Sequence, residues 1–130
     1  MSENNTTNEK DAVSNDSILT SIKLFLGITE EYEHYDPQII MHINTAFMLL
    51  SQLGVGPIEG FTITDKSSVW SEYIQVEDNL EAVKSYIGYK VRLMFDPPSS
   101  SAITESINRV ISELEWRLNV EAEAKNTQSQ

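Results

Sequence analysis

The stretch KVRLMFDPPSSSA, Lys90 to Ala102, joins two long amphipathic segments and constrains this chain more than any other feature. Upstream of it, Leu80, Val83, Ile87, Val91 and Met94 recur at helical spacing as one apolar stripe. Tyr86, Tyr89 and Leu93 form a second stripe, so this helix should have two packing partners. Pro97 disfavours helical geometry at Asp96, and neither Pro97 nor Pro98 has a backbone donor, so the helix must stop near Phe95. The serines that follow, Ser99, Ser100 and Ser101, can accept hydrogen bonds from the free N–H groups that open the next helix. Asp96, Pro97, Pro98, Ser99, Ser100 and Ser101 therefore read as a rigid corner. Beyond it, Ile103, Ile107, Val110, Ile111, Leu114 and Leu118 keep helical spacing and should face inward over a helix of about 101–120. Gly88, inside the helix before the corner, costs ~1 kcal/mol relative to alanine, which a close helix crossing would offset.

The N-terminal half supplies two more helices. Ile18, Ile22, Phe25 and Leu26 share a face over 17–26, with Asp16 or Ser17 as cap and Gly27 as a left-handed stop. After the acidic run TEEYEHYD, Asp36-Pro37 supplies an N-cap followed by proline at the first helical position. Ile40, Ile43, Phe47, Leu50 and Leu53 then hold helical spacing up to Gly54. Ile39, Met41, Met48 and Leu49 widen the apolar surface beyond one stripe, as expected of a helix buried on more than one side, in a bundle or against another subunit. After the second of these, between Gly54 and Glu77, GVGPIEG is turn-forming, FTITD alternates like a short strand, and SSVWSEYI makes a helical turn that holds Trp70 and Tyr73 on the core. The expected fold is mainly α, a small bundle of about four helices with a short irregular or β-like segment between the second and third long helices. Residues 1–15 are polar and read as a disordered arm, 16–120 as the helical domain, and 121–130 (EAEAKNTQSQ) as a flexible tail.

Charge and residue usage exclude whole classes of function. Nine basic against twenty acidic residues give a net charge of −11, which opposes binding to phosphate backbones and to anionic lipid. The chain has no cysteine, so disulfides, thiolate metal sites and cysteine nucleophiles are excluded. The first residues lack the basic start and apolar core of a signal peptide, and no apolar run has the length of a membrane span; synthesis in a cytosol is expected. The serines of the corner have no GxSxG context, and the two histidines, His34 and His42, are far from them. His34 with Glu30, Glu31, Glu33 and Asp36 lacks the spacing and glycine of a calcium loop and reads as a solvated acidic loop. GVGP lacks the GK[ST] ending of a phosphate loop. No catalytic residue, metal or cofactor is assigned, and an enzyme is not expected. Charge alone supports one rival class, an acidic helical DNA mimic that inhibits a nuclease or repressor. It predicts carboxylates arrayed on one face, whereas Glu105, Arg109, Glu113 and Arg117 alternate in sign.

The order SIKLFLGI, DPQIIMHINTAFMLLSQLGVGP, GFTITDKSSVW and NLEAVKSYIGYKVRLMFDPPSSSAITESINRVISELEWRLN resembles the head-to-tail connector, or head completion, proteins of long-tailed bacteriophages. The resemblance spans about 18–119, and KVRLMFDPPSSSA with ELEWRLN carries its most specific part. It implies a virion protein at the head–tail interface, made in the bacterial host cytoplasm. Such proteins form a ring, usually dodecameric, docked on the portal of the filled capsid, joined to the stopper or tail-completion protein, and open to passing viral DNA. In that setting Tyr86, Tyr89, Leu93, Arg109 and Glu113 are candidates for subunit contact. Trp116, Arg117, Asn119, Val120 and Glu121 are candidates for portal docking, and a negative lumen would let DNA slide without sticking.

Overall fold

A computed structural model describes residues 16–74 and 79–128. The elements are α1 (Ile18–Phe25), α2 (Asp36–Gln52), α3 (Trp70–Tyr73), α4 (Leu80–Phe95) and α5 (Ser101–Gln128). This is the helical bundle expected from the sequence. The predicted arm over 1–15 and the last two residues, 129–130, lie outside the described residues.

Local chemistry sets the helix ends. The Ser17 hydroxyl accepts the Thr20 N–H at 3.3 Å, capping α1, and donates to the Lys66 carbonyl at 2.7 Å. Ile18 N–H donates to the Ser68 carbonyl at 3.0 Å, and Ser17 pairs with Val69 in an antiparallel bridge, so the start of α1 is tied to the segment before α3. Gly27 takes φ +82° after α1 and Gly54 takes φ +85° after α2, the left-handed stops for which glycine is suited. Helix α2 begins one residue earlier than predicted: Tyr35 is the N-cap, Asp36 the first helical residue and Pro37 the second. The reason is that the Asp36 carboxylate turns away from the helix end towards Lys23, 2.9 Å away.

Helix α4 is the centre of the molecule, packed on α2, α5 and α1. Ile39, Ile43, Phe47 and Leu50 of α2 meet Val83, Ile87 and Val91 of α4 in a core closed by Ile18, Ile22 and Trp70. Burial of these side chains is the main stabilising term. Gly88 leaves room for a side chain of α1. A Cβ on it would lie 2.7 Å from the ring of Phe25, which in turn meets Tyr89 edge-on with centroids 5.1 Å apart. The close approach inferred from the sequence is therefore made by an aromatic ring of α1.

The segment read as a short strand keeps the alternation but has no strand as partner. Ile63 is buried and Phe61 half-buried, while Thr62 and Thr64 are exposed. The backbone of Ile63 pairs with a side chain: its N–H donates to Asn44 Oδ1 at 2.8 Å, and its carbonyl accepts from Asn44 Nδ2 at 3.0 Å. One amide of α2 thus performs the pairing that a neighbouring strand would, and no strand forms among the described residues. Phe61 then packs edge-on against Phe47 (centroids 5.0 Å) and Tyr73 (5.2 Å), and Trp70 Nε1 donates to Ser21 Oγ at 2.9 Å.

Two expectations for α5 are corrected. The helix does not end at Val120 but runs to Gln128, so most of the segment read as a flexible tail is helical. Its Ala- and Glu-rich sequence favours helix. Asn119 Nδ2 also donates to the Leu53 carbonyl at 3.2 Å, and Ala122 lies so near the turn at Gly54 that a Cβ there would come within 3.3 Å of it. Of the six apolar residues predicted to face inward, Ile111 and Leu118 are buried and Ile107 and Leu114 are half-buried. Ile103 is 54% exposed and Val110 38%. The apolar stripe of α5 is wider than the face α4 covers.

Candidate functional site

The corner between α4 and α5 has the construction its sequence implied. Asp96 N–H closes α4 on the Arg92 carbonyl at 3.0 Å, and the two side chains form a 3.8 Å ion pair. Among the three serines, Ser100 is the cap: its hydroxyl accepts the Ile103 N–H at 3.3 Å, and its carbonyl receives Thr104 N–H at 3.1 Å. Ser101 is the first residue of α5. The angle at which α5 leaves α4 is set here, and with it the surface α5 presents.

That surface carries the candidate contact residues, with one relocation. Tyr86 belongs to the core. It is fully buried, its hydroxyl donates to Glu115 Oε2 at 3.2 Å, and the Lys90 ammonium lies 5.9 Å from its ring centroid. Burial, reinforced by the charge of Glu115, pushes its phenol well above the ordinary range. Tyr89 and Leu93 are half-buried at the edge of the same helix, while Arg109 and Glu113 are exposed. Tyr89 borders a shallow, mainly apolar recess of about 280 Å³ with Ile103, Ile107 and Val110. Sequence spacing assigned Ile103 and Val110 to the core and so missed them as surface residues; helical periodicity does not reveal how many neighbours will cover a stripe.

Farther along α5, Trp116 is 67% exposed and Val120 42%, one helical turn apart, with Arg117 paired to Glu113 at 2.9 Å beside them. Glu121 is exposed as well. Asn119 is not on this outer face, because its amide is bonded to the Leu53 carbonyl. A run of carboxylates at phosphate-like spacing, the mark of a DNA mimic, is interrupted here by the Glu113–Arg117 pair.

The acidic loop between α1 and α2 is organised by a residue that sequence reasoning passed over. Lys23 is 2% exposed; its ammonium is ion-paired with Asp36 Oδ1 and donates to the Glu30 carbonyl, each at 2.9 Å. A signal was present: Lys23 is the only Lys or Arg between residues 16 and 65 and precedes four carboxylates in the loop. Asp36 is thereby committed to an ion pair, and the His34 ring packs on Tyr35 with centroids 4.9 Å apart. Among the described residues no group of three His, Asp or Glu side chains is placed to hold a metal ion, and no helix is long and apolar enough to cross a membrane.

Among the described residues, an all-helical chain whose longest helix leaves apolar side chains uncovered after a capped proline corner has the kind of surface that marks contact with other proteins. The family model described as phage connector protein matches residues 18–125, and the chain belongs to that family. Its role is structural, as a connector between head and tail in a bacteriophage virion. The matched span runs from the start of α1 almost to the end of α5 and includes the helical turns beyond Val120. No curated protein and no solved structure matches the chain.

Proposed function

We propose that the protein assembles as a ring, of twelve copies in the usual form of such connectors, docked on the portal of the DNA-filled capsid. The ring joins the portal to the stopper or tail-completion protein and lets viral DNA pass during ejection. The observation that carries this reading is the uncovered apolar surface of α5 together with membership of the connector family. Side chains as large as Ile103, Val110 and Trp116 are left in water by the protomer, and a head-to-tail contact between copies that closes on itself would cover some of them. Tyr89, Leu93, Arg109 and Glu113 lie along the proposed lateral contact. Trp116, Arg117, Val120 and Glu121 form the proposed portal contact, a rigid helical face instead of a tail that orders on arrival.

The net charge of −11 supports an acidic lumen that repels the DNA backbone, so that the genome slides without adhering. Phage particles produced without this protein test the assignment by electron microscopy. DNA-filled heads without tails are the expected product; normal tailed particles would refute it.

A further inference from the structure

Where the α1–α2 loop meets the α4–α5 corner lies an open cleft of about 640 Å³. Leu26, Ile28, Tyr35, Met41, Met94 and Phe95 line it. Met41 is 59% exposed, Tyr32 51% and Tyr35 37%, so the protomer leaves this apolar surface in water. Tyr32, His34, Tyr35 and Phe95 form a continuous aromatic array: Tyr32 to Tyr35 is 5.8 Å between centroids, His34 to Tyr35 4.9 Å, and Tyr35 to Phe95 5.2 Å.

The exposed charge of the loop beside this array is acidic, and His42 is also in the cleft wall. Glu31 and Glu33 are exposed in the loop that carries the tyrosines, and Asp96 lies in the cleft wall. Among the described residues, Lys23 is buried and engaged with Asp36, and Arg92 is engaged with Asp96. Neither Glu31 nor Glu33 forms an ion pair with a described Lys or Arg. Exposed aromatic faces attract guanidinium and ammonium groups through their quadrupoles, carboxylates beside them add a direct charge term, and methionine walls adapt to an apolar neighbour.

We propose that this cleft is a docking site for a segment of another polypeptide that presents arginine or lysine next to an aliphatic anchor. The cation lies over Tyr32 or Tyr35 beside the loop carboxylates, and the anchor enters between Met41 and Met94. Lys23 is the positioning residue that holds the loop in the shape this requires. The inference concerns the protomer and does not depend on ring formation.

The test uses the full chain, labelled with 15N, titrated with the peptide acetyl-GSLRLRSG-amide and, in parallel, with acetyl-GSLELESG-amide. Amide shifts should move at residues 28–42 and 94–96 with the arginine peptide, and the glutamate peptide should leave them unmoved. Affinity should fall by about tenfold between ~50 and ~300 mM NaCl, because the charges involved are exposed and screened. Tyr32→Ser should weaken binding by about threefold, the size of an exposed cation–π contact. Glu31→Gln with Glu33→Gln should weaken it further while far-UV circular dichroism stays unchanged. Equal binding of the two peptides, shifts scattered over the surface, or no shift at millimolar peptide would overturn the proposal. So would shifts at the same residues that follow protein concentration without peptide, since the cleft would then receive a second copy.

Discussion

Replacing Gly88 by alanine should destabilise the protein, although alanine is the better helix former, and removing the ring of Phe25 should reverse the sign. In a free helix interior the substitution gains ~1 kcal/mol. Here the new Cβ would stand 2.7 Å from Phe25 Cδ1 and 2.8 Å from its Cγ and Cε1. Because Cγ is among the colliding atoms, rotation about the ring axis gives no relief, and the whole side chain must swing away from α4. The ring then loses its edge contact with Tyr89, worth ~1 kcal/mol, and more of the 43%-exposed Phe25 enters water, costing about as much again. After the helix gain is subtracted, Gly88→Ala should cost ~1 kcal/mol. In a Phe25→Ala background nothing opposes the methyl, and the same change should stabilise by up to ~1 kcal/mol, giving a coupling of ~2 kcal/mol. Urea unfolding followed by far-UV circular dichroism reads this as opposite shifts of the midpoint, each ~0.5 M. A shift of equal size and sign in both backgrounds would refute the claim that the ring of Phe25 is why position 88 is glycine.

Three further outcomes follow from single contacts. Lys23→Met should cost ~3 kcal/mol because it strands the partly buried Asp36 carboxylate, and adding Asp36→Asn should recover most of it; chemical denaturation of the pair and the singles measures both. Asn44→Ala should cost ~2 kcal/mol and speed hydrogen exchange at the Ile63 amide, which loses its acceptor in a buried place. The phenols of Tyr73 and Tyr86 are raised by burial, so the unfolded chain ionises them first, from about pH 10. Stability should therefore be insensitive to these groups below that pH and fall above it as protons leave the unfolded state. Tyr86→Phe should flatten the alkaline fall seen in urea midpoints between pH 9 and about 11.

The local elements of this protein were set by its sequence, because their causes act within a few residues. Proline geometry ends α4 at Phe95, a serine hydroxyl caps α5, and glycines at 27 and 54 take the left-handed turns that stop α1 and α2. The same stereochemistry made Gly88 legible as a close approach, although not as the seat of an aromatic ring.

Only the tertiary structure decided which of several equally apolar or polar residues found a partner. Tyr86 and Tyr89 lie three residues apart on one stripe, yet the first is sealed under α5 and the second reaches the rim. Periodicity gives the direction of a side chain and not the width of what covers it. Helix α5 has 28 residues, about 42 Å, against 16 residues, about 24 Å, in α4, so its apolar face outruns its partner. That overhang lets Asn119 and Ala122 find the turn at Gly54, while Ile103 and Val110, alongside α4, stay in water because the apolar stripe is wider than the face α4 covers. Asn44 with Ile63, and Lys23 with Asp36, likewise join residues whose meeting depends on helices that pack only after both are formed. The helices and their corner were written in the chain, whereas the surfaces they offer to other proteins came from how unequal helices fit together.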